Sequence, residues 1–147
     1  MIVEFSVKNF RSFSDLQTIS FVATSLKSSK DNQFVDLNNV VVNNGMRLLK
    51  TIGVYGANAS GKSNIVHALE FFCRAVSDLP SPESRLSKLA QPFLYNENSL
   101  NEDSFFQMVL IVEGKKYRYG ITVKKNVDTN SIKNTTTSKE IITNEWL

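Results

Sequence analysis

The chain has 147 residues, 41% of them hydrophobic and 21% charged, with a net charge of +3 and a pI near 9.0; that is enough for one domain with its own core. Its longest purely apolar run, Met108 to Val112, is too short to span a bilayer, and Met1 to Phe5 lacks the basic start and long apolar stretch of a signal peptide. A single cysteine, Cys73, excludes an internal disulfide framework, and with one histidine, His67, a structural zinc site is not expected. These features predict a cytoplasmic protein without membrane contact, whose basic balance permits nucleic-acid binding but does not argue for it.

Met1 to Lys8 alternates apolar and polar residues and predicts an N-terminal strand. Asn9 to Asp15 reads as a turn, and Gln17 to Ala23 as a second strand able to pair with the first. Thr24 to Gln33 is polar and predicts a loop. Phe34 to Val42 predicts a third strand, Asn43-Asn44-Gly45 a turn, and Leu48 to Tyr55 an apolar strand leading into a glycine-rich loop. After that loop the period changes to 3.6: Ile65, Leu69, Phe72 and Val76 share one helical face, with Ala68 and Ala75 beside it. Asp78 to Pro82 ends this helix, and a short helix follows over Glu83 to Leu89. Phe105 to Glu113 and Lys116 to Val123 predict a hairpin around Glu113-Gly114-Lys115. Val127 to Ser138 predicts a mobile loop and Glu140 to Leu147 a last strand. The phenylalanines Phe71, Phe72, Phe105 and Phe106 read as core.

Gly56-Ala57-Asn58-Ala59-Ser60-Gly61-Lys62-Ser63 fits G-x-x-x-x-G-K-[ST] in full. The glycines permit backbone angles that turn successive N–H groups inward onto phosphate oxygens. The helix that follows aims its positive end at the same oxygens. Lys62 reaches the β- and γ-phosphates, and the Ser63 hydroxyl has the length to ligate Mg²⁺. By chance such a match arises in roughly one chain in two hundred of this length, and the predicted strand before it and helix after it make chance the poorer reading. ATP and Mg²⁺ are therefore the expected cofactors. The Asn-Lys-x-Asp and Asp-x-x-Gly motifs of a GTPase do not occur.

The third loop position, Asn58, and Asn64 directly after Ser63 make the loop similar to that of ABC-type ATPases of the SMC, RecF and OLD branch. Val7-Lys8-Asn9-Phe10-Arg11-Ser12-Phe13 resembles the opening strand and turn of that branch. Tyr117-Arg118-Tyr119-Gly120 and Asn144-Glu145-Trp146-Leu147 resemble segments of bacterial OLD-like "AAA family" ATPases that accompany nucleases or toxins in defence against phage. The resemblance implies an α/β fold in which an antiparallel β-subdomain lies beside a P-loop core. It also implies ATP clamped between two heads, hence a homodimer or higher oligomer acting on a nuclease, toxin or DNA-processing effector. Arg11 and Ser12 would then lie near the nucleotide; from the residues alone they read equally well as a solvated turn.

The acidic pair and Ser-Gly-Gly signature of such heads do not occur in the sequence. Glu113 closes an apolar run but is followed at once by Gly114, which favours a hairpin over a catalytic acid, and no catalytic residue is assigned. The chain is expected to be the N-terminal portion of one ATPase domain, inactive in turnover by itself; the alternatives are a naturally short chain completed by another polypeptide, or a nucleotide-binding regulatory module. Lys115, Lys116, Arg118, Lys124, Lys125, Lys133 and Lys139, interleaved with Tyr117 and Tyr119, read as a solvated hairpin face in preference to a DNA surface.

Overall fold

A computed structural model describes residues 1–25, 28–77, 90–127 and 138–147. Its centre is a five-stranded antiparallel sheet in the order β2-β1-β5-β6-β7: β1 is Ile2–Lys8, β2 Gln17–Ser20, β5 Ser104–Val112, β6 Lys115–Val127 and β7 Ser138–Trp146. Between β2 and β5 come helix α1 (Gln33–Asn39), the two-stranded β3 (Val40–Asn43) and β4 (Met46–Leu49), and the long helix α2 (Lys62–Ser77). The chain is thus mixed α/β with an antiparallel sheet.

The register explains the core. Phe5 lies opposite Met108, which lies opposite Tyr119; Val7 lies opposite Phe106, which lies opposite Ile121. Side chains alternate across a strand, so these residues share one face, and α2 covers it with Ala68, Phe71 and Phe72. Phe10, Phe71 and Phe106 form a ring triad with centroids 4.8–5.9 Å apart. Val109 and Ile111 point to the other face, where Val3 and the β4 residue Leu48 bury them.

Asn44 and Gly45, both with positive φ (49° and 74°), close the β3–β4 hairpin, and Glu113 and Gly114 (50° and 75°) close β5–β6. This left-handed pair suits the strand twist of a two-residue hairpin. Glu113 is therefore a hairpin residue.

Three expectations differ from the structure. Phe34 to Asn39 is helical, and only Val40–Asn43 is strand. Ser28 donates from its backbone N (2.8 Å) and hydroxyl (3.0 Å) to the Asp36 carboxylate, and the Val40 N–H closes the turn on Asp36 O; local bonds of this kind outcompete β-propensity. The strand expected over Leu48 to Tyr55 ends at Leu49, because the segment from 51 to 57 has no neighbouring strand among the described residues. Val76 is exposed, whereas Phe71 takes its place on the buried face of α2.

Smaller shifts are a β2 that stops at Ser20, beyond which Phe21 to Ala23 binds β4 through Leu49 N–Phe21 O (2.7 Å), Ala23 N–Arg47 O (2.8 Å) and the Val22–Leu48 bridge, and longer β6 and β7. Phe105 is half-buried and stacks on Trp146 with centroids 5.5 Å apart. The expected helix end at Asp78 to Pro82, the helix over Glu83 to Leu89 and most of the loop over Val127 to Ser138 lie outside the described residues.

Candidate nucleotide site

The glycine-rich loop lies at the N-terminal end of α2. Ala59 (φ 62°) and Gly61 (φ 86°) adopt left-handed angles, which turn the chain sharply before the helix begins at Lys62. Ala68, Phe71 and Phe72, spaced i, i+3, i+4, anchor α2 to the sheet. The helix N-terminus, with its unpaired N–H groups and positive dipole end, is thereby held in a fixed direction.

Lys62 Nζ curls over the loop and donates to Gly56 O (2.9 Å) and Ala57 O (2.5 Å), with Ser60 Oγ at 3.5 Å. An ammonium group is thus held at the loop's mouth with its three donors on loop oxygens, contacts that phosphate oxygens of higher charge would replace. A Cβ on Gly56 would come within 2.9 Å of Ser60 Oγ, so a side chain there would turn the exposed Ser60 hydroxyl aside. Residues 59–64 line an open cavity of about 200 Å³, and the Ser63 side chain is exposed there. A cation, a hydroxyl and helix N–H groups in one concavity form a donor set suited to a magnesium-bound polyphosphate.

Ser12 reaches this site from a distant part of the sequence. Its Oγ accepts a hydrogen bond of 2.9 Å from Asn64 Nδ2 and packs so closely on Gly61 that a Cβ there would lie 2.6 Å from it. Arg11 sits one residue away, with its guanidinium over the Phe10 ring (5.6 Å) and its backbone N–H on Gln91 O (2.7 Å). Among the described residues, no hydrogen bond or ion pair of Arg11 reaches the loop.

The residue that sequence reading passed over is Asn9. It is buried, with φ of 51°. Its Nδ2 donates to Ser99 O (2.7 Å) and Glu102 O (2.9 Å), and its Oδ1 accepts from Phe93 N (3.0 Å). Asparagine tolerates left-handed angles better than most residues, and its place at the head of a turn was the available signal; its partners lie more than 80 positions away.

Residues 52–145 match the family described as "AAA domain, putative AbiEii toxin, Type IV TA system". The chain belongs to this AAA-domain family. The match opens at the approach to the phosphate loop and ends within β7, so it covers the loop, α2 and the β5–β6–β7 meander, and leaves the Ser12 turn outside. Membership makes the chain a P-loop ATPase-like, nucleotide-binding module of a family whose description is tied to a toxin–antitoxin system. No curated protein matches the chain. No described helix is long and apolar enough to cross a membrane.

The basic hairpin gains no aromatic partners for bases from Tyr119. That ring packs on Phe72 (5.9 Å), and its hydroxyl donates to Glu145 Oε1 (2.5 Å). Burial first, then the Glu145 hydrogen bond and charge, push the Tyr119 phenol up to about 12. Lys115, Lys116, Arg118 and Lys124 are exposed; the side chains of Lys125, Lys133 and Lys139 lie outside the described residues.

Proposed function

We propose that this chain forms the N-terminal part of an ABC-type ATPase head of the SMC, RecF and OLD-like branch, and that it binds Mg-ATP through Gly56 to Asn64. The observation that carries this reading is the Lys62 ammonium poised over the loop, 2.9 and 2.5 Å from the carbonyls of Gly56 and Ala57. The N–H groups of residues 57–63 and Lys62 would hold the β- and γ-phosphates, Ser63 would ligate magnesium, and Arg11 and Ser12 would stand at the rim. Bound magnesium would neutralise charge on the phosphate oxygens.

The segment 52–55 supports the idea of a larger head. Its backbone groups make no hydrogen bond with other described residues, and Tyr55 is 94% exposed. Unpaired backbone bearing apolar side chains is suited to lie within a sheet completed by further polypeptide. In this reading ATP drives association of two heads in the cytoplasm and controls a nuclease, toxin or DNA-processing effector in antiphage defence or DNA repair, and the acid that completes the metal site comes from outside these residues. The 147-residue chain alone would then show no Lys62-dependent turnover, since holding a triphosphate does not by itself lower the barrier to the chemical step.

The test is calorimetric titration of Mg-ATP into the parent chain and Lys62→Ala. Loss of a charge-assisted contact worth roughly 1.5–3 kcal/mol predicts affinity lower by about ten- to a hundredfold, with adenosine binding unchanged. Equal ATP affinity in a folded Lys62→Ala variant overturns the assignment.

A further inference from the structure

We infer that Ser12 is a positioning residue for the nucleotide site, acting through Asn64 and Gly61 to fix the first turn of α2 on the β-sheet lobe; this rests on the nucleotide reading above. The phosphate loop is weakly held by its own surroundings. Its residues from Gly56 to Ser60 are exposed, and its backbone bonds are local, Ser60 N to Ala57 O (3.3 Å) and Asn64 N to Gly61 O (2.9 Å). The nearest buried anchor of α2 is Ala68, six residues beyond Lys62, or roughly 9 Å along the helix.

Ser12 supplies a second, closer anchor. Its contact with Asn64 spans 52 positions of sequence, so it joins two segments that local structure would leave independent. The turn that carries Ser12 is itself tightly held. Phe10 and Phe13 exchange backbone hydrogen bonds of 2.9 and 2.8 Å, and Arg11 N donates to Gln91 O. Asn9, 1% exposed, ties the start of the turn to Phe93, Ser99 and Glu102. Ser104 Oγ donates to the Asn9 carbonyl (2.6 Å). The hydrogen bonds of Asn9 and Ser104 are buried and rigidify the start of the turn, while Arg11 Nε beside it is buried without a partner. Ser12 is itself exposed, but the turn beneath it is held, and the α2 N-terminus is referred to that turn through one hydrogen bond and one close contact.

The fit between Ser12 and Gly61 explains the second glycine of the loop in a way the motif does not. A side chain at 61 would meet both a left-handed φ of 86° and the Ser12 hydroxyl. It would push α2 away from the turn, and N–H groups displaced by a fraction of an ångström lose phosphate contacts sharply with distance and angle.

The experiment titrates Mg-ATP into the full chain carrying Ser12→Ala, Asn64→Ala, both changes, or Ser12→Thr, beside the parent and Lys62→Ala. One hydrogen bond of this kind predicts that Ser12→Ala and Asn64→Ala each raise Kd about three- to tenfold. The double variant should be no worse than the poorer single, because the two act as one contact. Ser12→Thr keeps the hydroxyl and retains parent affinity. Thermal midpoints near the parent's, with affinity lost, separate positioning from general destabilisation. Should Ser12→Ala fail to fold, Asn64→Ala on the helix surface carries the same test. Lys62-dependent binding that is unchanged in Ser12→Ala or Asn64→Ala overturns the inference alone, and so do additive losses in the double variant. Absence of any Lys62-dependent binding in the parent overturns the nucleotide reading beneath it.

Discussion

The β1–β5–β6 sheet and the segment from Thr51 to Ser60 are both rich in apolar or small residues, yet they come to opposite fates. In the sheet each strand meets a neighbour over most of its length, and its apolar face is sealed by α2. The segment before the phosphate loop has an equally apolar sequence, Ile52-Gly53-Val54-Tyr55, but Val54 is 48% and Tyr55 94% exposed. A strand is defined by its partners, whereas a phosphate loop is defined by its own backbone angles and the helix behind it. The loop can therefore take its shape beside a strand that has not formed.

The strongest way to break this contrast is to truncate one aromatic from each region. Phe106→Ala, at the centre of the Phe10–Phe71 ring cluster, should cost about 3–5 kcal/mol in urea denaturation. Tyr55→Ala should stay within about 0.5 kcal/mol. Similar losses would mean that residues 52–55 are packed in solution and that the contrast is false.

A second variant sharpens it at the sheet's edge. Gly120 sits opposite Trp146, and a Cβ at 120 would overlap the indole. Gly120→Ala should cost about 1–3 kcal/mol by overpacking and shift the emission of Trp146, the single tryptophan, to the red. Mg-ATP affinity should not change, because β7 lies at the far edge of the sheet from β2 and holds none of the loop residues. An unshifted spectrum would mean that β7 does not pair with β6 in this register.

The smallest effect concerns Tyr119. Its folded-state pKa of about 12 stands above the ordinary 10.0, so the folded state holds the phenolic proton longer than the unfolded one. The resulting stabilisation is fully present below about pH 10 and is lost as pH rises towards about 12. The stability difference between the parent and Tyr119→Phe, read from urea midpoints, should be constant up to about pH 9 and narrower at about pH 11.5. A difference that does not change across this range would show that the phenol is neither buried nor bonded to Glu145 in solution.

Much of the sheet was legible because period-two alternation and two-residue turn signals are local: β1, the β5–β6 hairpin and its Glu113-Gly114 turn all follow from residues within a few positions of one another. The run from Phe34 to Val42 misled for the same reason. Its composition favours a strand, while the hydrogen bonds that hold Asp36 and its first half in helix come from Ser28, outside the run.

The sequence by itself marked the phosphate loop from Gly56 to Ser63, since Gly61 at a left-handed φ of 86°, followed by a lysine and a hydroxyl at fixed spacing, supplies the turn and the donors from local residues. Only the tertiary structure decided what holds that loop in place. Asn9 finds its partners at Phe93, Ser99 and Glu102, and Ser12 finds Asn64, across separations that no periodicity encodes. Such contacts exist only after β1 has paired with β5 and α2 has closed over their shared face, because burial of that apolar face is what brings the distant polar groups within hydrogen-bonding distance.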